Sequence, residues 1–158
     1  VVYAAGYYSE NAFGPKHTDL KALDPDTGVA LWSLTVGDAT ARSPVLGVDG
    51  RVHLPVDTGH QFVTCALVTA NPNGELLWSY ELAEPCGGDA VVDADGVVFA
   101  AGAEGLVVAI SPDGLPLWSH TLSGAGPRTL ALGAQGQLYA MSGAASGTLV
   151  AFSLGGGP

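Results

Sequence analysis

The chain has 158 residues, of which 47% are hydrophobic and only 13% are charged, a balance that suits a folded protein and argues against disorder. Its 15 acidic residues against 5 Lys and Arg give a formal charge of −10, which repels phosphate groups, so no nucleic-acid partner is expected. No apolar run approaches the roughly 18 residues that a membrane span needs, so no direct membrane span is expected either.

Residues 1–6 are rich in β-branched and aromatic side chains and predict a strand. The chain repeats a unit of four strands, labelled A to D, and this first strand corresponds to B. A long connection over residues 7–17 follows. Strand C is predicted at 20–24, then an Asp/Pro/Gly turn, then strand D at 30–36. Apolar residues alternate with polar ones in strand D, and Trp32 lies on the apolar side. This alternation predicts one buried face and one solvent-exposed face.

The same segments recur along the rest of the chain, each time preceded by a further strand, A. Turn glycines and tryptophans both recur at intervals of 46 and 40 residues. Frequent Gly and Pro argue against helical repeats, and a period of this length is typical of propeller blades. We therefore predict an all-β propeller of four-stranded antiparallel blades, with units at residues 1–36, 43–82, 89–122 and 128–153.

The first unit lacks strand A, and the last lacks strand D, whose tryptophan would fall near position 160. A propeller hides its sheet edges by closing into a ring. We therefore expect these units to be part of a larger ring of about seven or eight blades. Additional blades would come from the same chain or from another one, and a closed ring of four blades is the alternative.

The segment Ala22-x-Asp24-x-x-Thr27-Gly28-x-x-x-Trp32 resembles the tryptophan-docking repeat of the pyrroloquinoline-quinone (PQQ)-like, BamB-like β-propeller family. Degenerate copies of the repeat follow and cover nearly the whole chain. In that family the docking indole is wedged between adjacent blades. The resemblance implies docking roles for three tryptophans, two small residues and three turn glycines: Trp32, Trp78, Trp118, Ala22, Ala109, Gly28, Gly74 and Gly114.

The family includes quinoprotein alcohol dehydrogenases, outer-membrane assembly lipoproteins and extracellular sensor domains, so the fold does not fix the activity. A quinoprotein dehydrogenase would have an adjacent cysteine pair over PQQ and central calcium ligands, but Cys65 and Cys86 are not adjacent. We therefore predict a non-catalytic scaffold or binding module for a protein or small ligand, without a cofactor. The alternatives are a fragment of a PQQ-dependent dehydrogenase, with PQQ and calcium, and a ligand-sensing ectodomain of a signalling protein.

Cys65 lies at the start of a predicted strand C, and Cys86 follows strand D of the same unit. These two ends of an antiparallel hairpin lie side by side. We expect a Cys65–Cys86 disulfide, and two free thiols are the alternative. A disulfide implies an oxidising compartment, so a periplasmic, cell-surface or secreted location is expected, with the cytoplasm left open.

Aromatic residues in two connections predict a partner-binding surface, namely Tyr7, Tyr8 and Phe13 in the first connection and His60 in the second. A cover over the blade edge is the alternative for these side chains. The histidines lack metal-ligand spacing and the aspartates lie in turns, so no metal site is predicted. No catalytic motif occurs in the chain. His53 occupies the aromatic position of strand B in the other units and is expected to pack in the core.

Overall fold

The computed structural model describes residues 1–9, 16–37, 40–58, 64–123, 126–142 and 147–153. These residues form antiparallel β-sheets joined by turns, which confirms the all-β prediction. No helix long and apolar enough to cross a membrane occurs in these ranges.

The strands form four sheets, and each sheet is a meander in chain order. The first sheet contains β1 (Val2–Ser9), β2 (Lys16–Leu23) and β3 (Ala30–Gly37). The second contains β4 (Thr40–Ala41), β5 (Val45–Leu46), β6 (Val52–Thr58), β7 (Thr64–Ala70) and β8 (Leu76–Leu82). The third contains β9 (Val91–Val92), β10 (Val98–Ala101), β11 (Leu106–Ile110) and β12 (Pro116–Thr121). The fourth contains β13 (Pro127–Leu132), β14 (Gln137–Ser142) and β15 (Leu149–Ser153).

Strand A of the second sheet is split into two short pieces, β4 and β5, which both pair with β6. The split coincides with Pro55 in β6, which has no backbone N–H to donate to a neighbouring strand. The carbonyl of Pro55 still accepts a hydrogen bond from the Arg42 amide, at 2.9 Å. Strand A therefore stays beside β6 although the ladder is interrupted.

The first hairpin is longer than the sequence predicts. The predicted connection over residues 7–17 is wrong at both ends, because β1 continues to Ser9 and β2 begins at Lys16. Tyr7 pairs with Thr18 and Tyr8 pairs with His17. Tyrosine has a high β propensity, so Tyr7 and Tyr8 continue the strand past Gly6.

Three apolar clusters lie between successive sheets. The cluster between the first two sheets contains Leu20 and Leu54, the next contains Leu67 and Ile110, and the last is built around Phe99. The middle strands β6, β7, β10 and β11 are almost entirely buried because they have a sheet on either side. In the outer strands β3, β8 and β12, half-buried and exposed residues alternate along most of each strand, as their sequence pattern predicts.

Candidate functional site

The first three sheets share a row of three residues that lie in register across neighbouring strands. An aromatic or imidazole ring lies on strand B, a small residue on strand C and a tryptophan on strand D. The rows are Tyr3–Ala22–Trp32, His53–Thr69–Trp78 and Phe99–Ala109–Trp118. Within each row the two ring centroids are 5.8, 6.0 and 5.9 Å apart, respectively. The middle residue is fully buried in all three rows, so its small size lets the two rings meet above it.

Each of the first two tryptophans also contacts the next sheet. Trp32 Nε1 donates to the carbonyl of Pro72 at 2.9 Å, and Trp78 Nε1 donates to that of Pro112 at 2.8 Å. The third tryptophan, Trp118, stacks on Phe152 of the fourth sheet with 5.8 Å between ring centroids. A large ring with one N–H donor thus fills the gap between sheets and bonds across it.

The turn glycines that follow these prolines accommodate the indoles. Gly74 and Gly114 have φ angles of +85° and +83°, a region that favours glycine. A Cβ atom on Gly74 would lie 2.6 Å from the Trp32 ring, and one on Gly114 would lie 2.7 Å from that of Trp78. The equivalent Gly28 has φ +70° but nothing within 4 Å of a Cβ position.

The row in the second sheet replaces an aromatic–alanine pair by a buried polar pair. His53 is 1% exposed, and its Nδ1 lies 2.8 Å from Thr69 Oγ1. Burial lowers the pKa of His53 to about 4. The negative charge of Asp49 raises this pKa, and the positive charge of Arg51 lowers it further. The imidazole is therefore neutral at neutral pH and packs in the core, as the sequence predicts.

The predicted Cys65–Cys86 disulfide is confirmed, with the two Cα atoms 4.8 Å apart and both residues buried. Cys86 also forms a β-bridge with Gly102 of the third sheet. The disulfide therefore lies where the second sheet meets the third, and it ties strand C to the connection that follows strand D.

Two buried carboxylates support the same boundary, and the sequence did not predict them. Asp57 accepts hydrogen bonds from the Cys86 amide at 2.8 Å and from Arg42 Nη2 at 3.0 Å. Glu84 accepts from the amides of Glu104 at 2.7 Å and Leu106 at 2.8 Å. A single charged residue at the end of an apolar strand was the available signal for Asp57. For Glu84 the partner amides come from another sheet, which the local sequence does not reveal.

The predicted partner-binding residues are only partly placed. Tyr7 and Tyr8 lie in β1, but the positions of their side chains are not described. Phe13 and His60 lie outside the described residues. The surface predicted from these four residues therefore stays a prediction. Among the described residues, no group of three or more His, Cys, Asp or Glu is placed to hold a metal ion.

A leucine precedes the tryptophan on each outer strand and points away from the docked face. Leu31, Leu77 and Leu117 are 55%, 43% and 56% exposed. Each C–D turn just before these leucines presents an exposed acidic residue. We call the six residues Leu31, Leu77, Leu117, Asp26, Glu75 and Asp113 the outer rim.

The A–B and C–D turns lie at the same end of each antiparallel meander. That end is strongly acidic in the first three sheets, with Asp24, Asp26, Asp49, Glu75, Asp93, Asp95 and Asp113. The one basic side chain in these turns is that of Arg51, which is 3.1 Å from Asp49 and also donates to the Pro112 carbonyl. The outer rim therefore combines repeated apolar side chains with a negative field.

A family described as outer membrane protein assembly factor BamB matches residues 16–157. BamB from Moraxella catarrhalis has a similar structure, with a TM-score of 0.69 and 14% identity over 99% of this chain and 50% of that one. The structure of a protein of unknown function from Bacteroides caccae gives a TM-score of 0.63 with 22% identity, over 88% of this chain and 53% of that one. A gluconolactonase from Xanthomonas campestris gives a TM-score of 0.52 with 19% identity, over 85% of this chain and 43% of that one.

The chain thus spans about half the length of these solved structures. At these identities the likeness shows the β-propeller fold alone. No curated protein matches the chain.

Proposed function

Because the chain belongs to the family described as outer membrane protein assembly factor BamB, we propose that it is a non-catalytic propeller scaffold that binds another protein outside the cytoplasm. The observation that carries this proposal is the outer rim, since one exposed leucine and one acidic residue recur on three successive sheets. Exposed apolar side chains that recur on a rigid scaffold favour contact with a partner.

The buried polar side chains of the second and third sheets form hydrogen bonds that hold the fold together. Asp57 and Glu84 each accept backbone N–H bonds, and His53 bonds Thr69. Hydrogen bonds of this kind fix connections and core positions. We therefore propose that the protein works without PQQ or calcium.

The Cys65–Cys86 disulfide supports the proposed location, because disulfides persist in oxidising compartments and are rare in the cytosol. Both cysteines are buried, which suits a permanent structural bond. Mass-tag alkylation of the full-length protein in its native cells, quenched in acid, tests this location. We expect Cys65 and Cys86 to carry no tag before reduction and both to carry one after it. A tag on both residues before reduction would contradict the extracytoplasmic proposal.

Binding of a protein is tested by photo-cross-linking from an unnatural amino acid placed at Ser79, an exposed position on β8 beyond Leu77. We expect a discrete cross-linked species in native cells, and none from the same probe at Glu104 on the opposite end of the third sheet. The absence of any discrete species from probes on every sheet would refute the binding role. The cofactor proposal is checked by adding PQQ and calcium to the purified protein, where a saturable change in quinone absorbance would overturn it.

A further inference from the structure

We propose that the outer rim binds a polypeptide segment in which large apolar side chains alternate with lysine or arginine. This inference rests on the proposed protein-binding function and names the chemical class of the partner. It makes the exposed leucines the apolar contacts and the acidic C–D turns the charge contacts of one continuous surface.

The leucines of the outer rim are exposed even in sheets that have a neighbouring sheet on both sides. Leu77 lies in the second sheet and Leu117 in the third, and each of these sheets packs against a sheet on either side. They remain 43% and 56% exposed although Trp78 and Trp118 beside them contact the next sheet. Leu31 of the first sheet is 55% exposed, nearly as much as Leu117. The apolar row is therefore built into the outer strands.

The same face of each outer strand also carries a polar residue. Two positions after each leucine of the outer rim, the outward-facing residue is a serine. Ser33, Ser79 and Ser119 are exposed and follow the tryptophan directly. Each of the leucines also has an exposed apolar neighbour nearby, namely Val29 at 63%, Leu76 at 54% and Leu115 at 65%. Each outer strand therefore begins with apolar surface and continues with polar surface. The apolar part lies beside the acidic turn.

Charge selects among possible occupants of this surface. A second copy of the chain would bring a formal charge of −10 and the same acidic turns, and anionic lipid or nucleic acid would be repelled as well. Basic groups of a partner would instead meet Asp26, Glu75 and Asp113, which are all exposed. The repetition over three sheets fits an extended segment better than a small molecule, which prefers a concave pocket.

Two synthetic peptides of equal length test the chemistry directly on the full-length protein. One alternates leucine with lysine, and the other replaces every lysine by glutamate. We expect saturable binding of the lysine peptide, measured by fluorescence anisotropy, that weakens with added salt because exposed charges are screened. Equal binding of the glutamate peptide, or no binding of the lysine peptide, would overturn the proposal.

Variants then locate the binding surface. The rim variant Leu31→Ser/Leu77→Ser/Leu117→Ser is expected to weaken lysine-peptide binding on the order of tenfold or more, as loss of central apolar contacts does. A matched control, Leu46→Ser/Met141→Ser/Leu149→Ser, removes three side chains of similar exposure elsewhere and should leave binding unchanged. The variant Asp26→Asn/Glu75→Gln/Asp113→Asn should reduce the salt dependence of binding. Equal losses in the rim and control variants would refute the assignment, and circular dichroism checks that each variant is folded.

The cross-linking experiment separates this inference from the proposed function. A species cross-linked from Ser79 that disappears in the rim variant, and persists in the control variant, supports the inference. If the species persists in the rim variant, the protein binds a partner through another surface, and the inference fails while the proposed function stands. If probes on every sheet of the unmodified protein yield no species, the proposed function fails and the inference falls with it.

Discussion

Replacing His53 and Thr69 together by Phe and Ala would give the second sheet the same pair that the third sheet already has in Phe99 and Ala109. The two pairs occupy equivalent register positions, and their rings lie 6.0 and 5.9 Å from the tryptophan of the same row. The double variant therefore has a structural precedent within the chain. We expect it to fold and to lose a dependence of stability on pH.

The size of that dependence follows from the pKa of His53, which burial lowers from 6.5 to about 4. Between these pH values the unfolded chain binds more protons than the folded chain, so the free energy of unfolding falls as the pH is lowered. The contribution of a neutral His53 is fully present above about pH 6.5 and is lost progressively toward pH 4. One pKa unit corresponds to about 1.4 kcal/mol, so the full loss is roughly 3 kcal/mol, most of it reached by pH 4.5.

Urea unfolding at pH 7.5 and pH 4.5 measures this effect, with the original protein and the double variant compared at each pH. Other groups titrate equally in both proteins, so the difference between them isolates His53. We expect the double variant to gain about 2–3 kcal/mol relative to the original protein on moving to pH 4.5. The single variant His53→Phe should be less stable than the double variant by about 1–3 kcal/mol at pH 7.5, because it leaves the Thr69 hydroxyl buried without its partner. Parallel pH profiles for the original protein and the double variant would refute the reasoning.

Three further changes test the inter-sheet contacts, each by chemical denaturation. Trp78→Phe removes the N–H donor and part of the indole ring, so we expect a loss of about 1–3 kcal/mol, and an unchanged midpoint would show that neither the hydrogen bond nor the ring contact contributes. Gly28→Ala should cost about 1–2 kcal/mol from its positive φ alone. Gly114→Ala should cost distinctly more, because its Cβ also meets the Trp78 indole. Equal costs for the two variants would contradict the docking geometry. Replacing Cys65 and Cys86 by Ala should cost roughly 3 kcal/mol, and reduction of the original protein should give the same midpoint; stability unaffected by either treatment would refute a stabilising disulfide.

The strand order could be predicted from the sequence because two independent markers, the turn glycines and the tryptophans, recur with the same intervals. The disulfide could be predicted because strand C and strand D of one hairpin bring Cys65 and Cys86 to the same end. Both inferences use local pattern and antiparallel pairing. Neither requires knowledge of which sheet lies next to which.

The features that the sequence did not reveal depend on contacts between distant segments. The hairpin of β1 and β2 continues past Gly6 because the strands pair with each other through Ser9 and Lys16. The burial of Glu84 depends on amides about 20 positions later in the next sheet. Nothing in the spacing of acidic residues distinguishes these buried carboxylates from those in exposed turns. The outer rim was missed for a related reason, since an exposed leucine cannot be told from a buried one by type alone.

The second sheet shows how departures from the repeat carry specific chemistry. It is where His53 and Thr69 replace an apolar pair, and where the buried Asp57 bonds the Cys86 amide. A polar pair in the core contributes less apolar stabilisation than the Phe99–Ala109 pair, and its hydrogen bond offsets only part of the difference. The disulfide acts in the opposite direction by restricting the unfolded chain. We therefore expect the second sheet to depend on its disulfide more than a sheet with the Phe99–Ala109 pair would. Replacing Cys65 and Cys86 by Ala should lower the stability, and adding His53→Phe and Thr69→Ala to that variant should recover part of the loss.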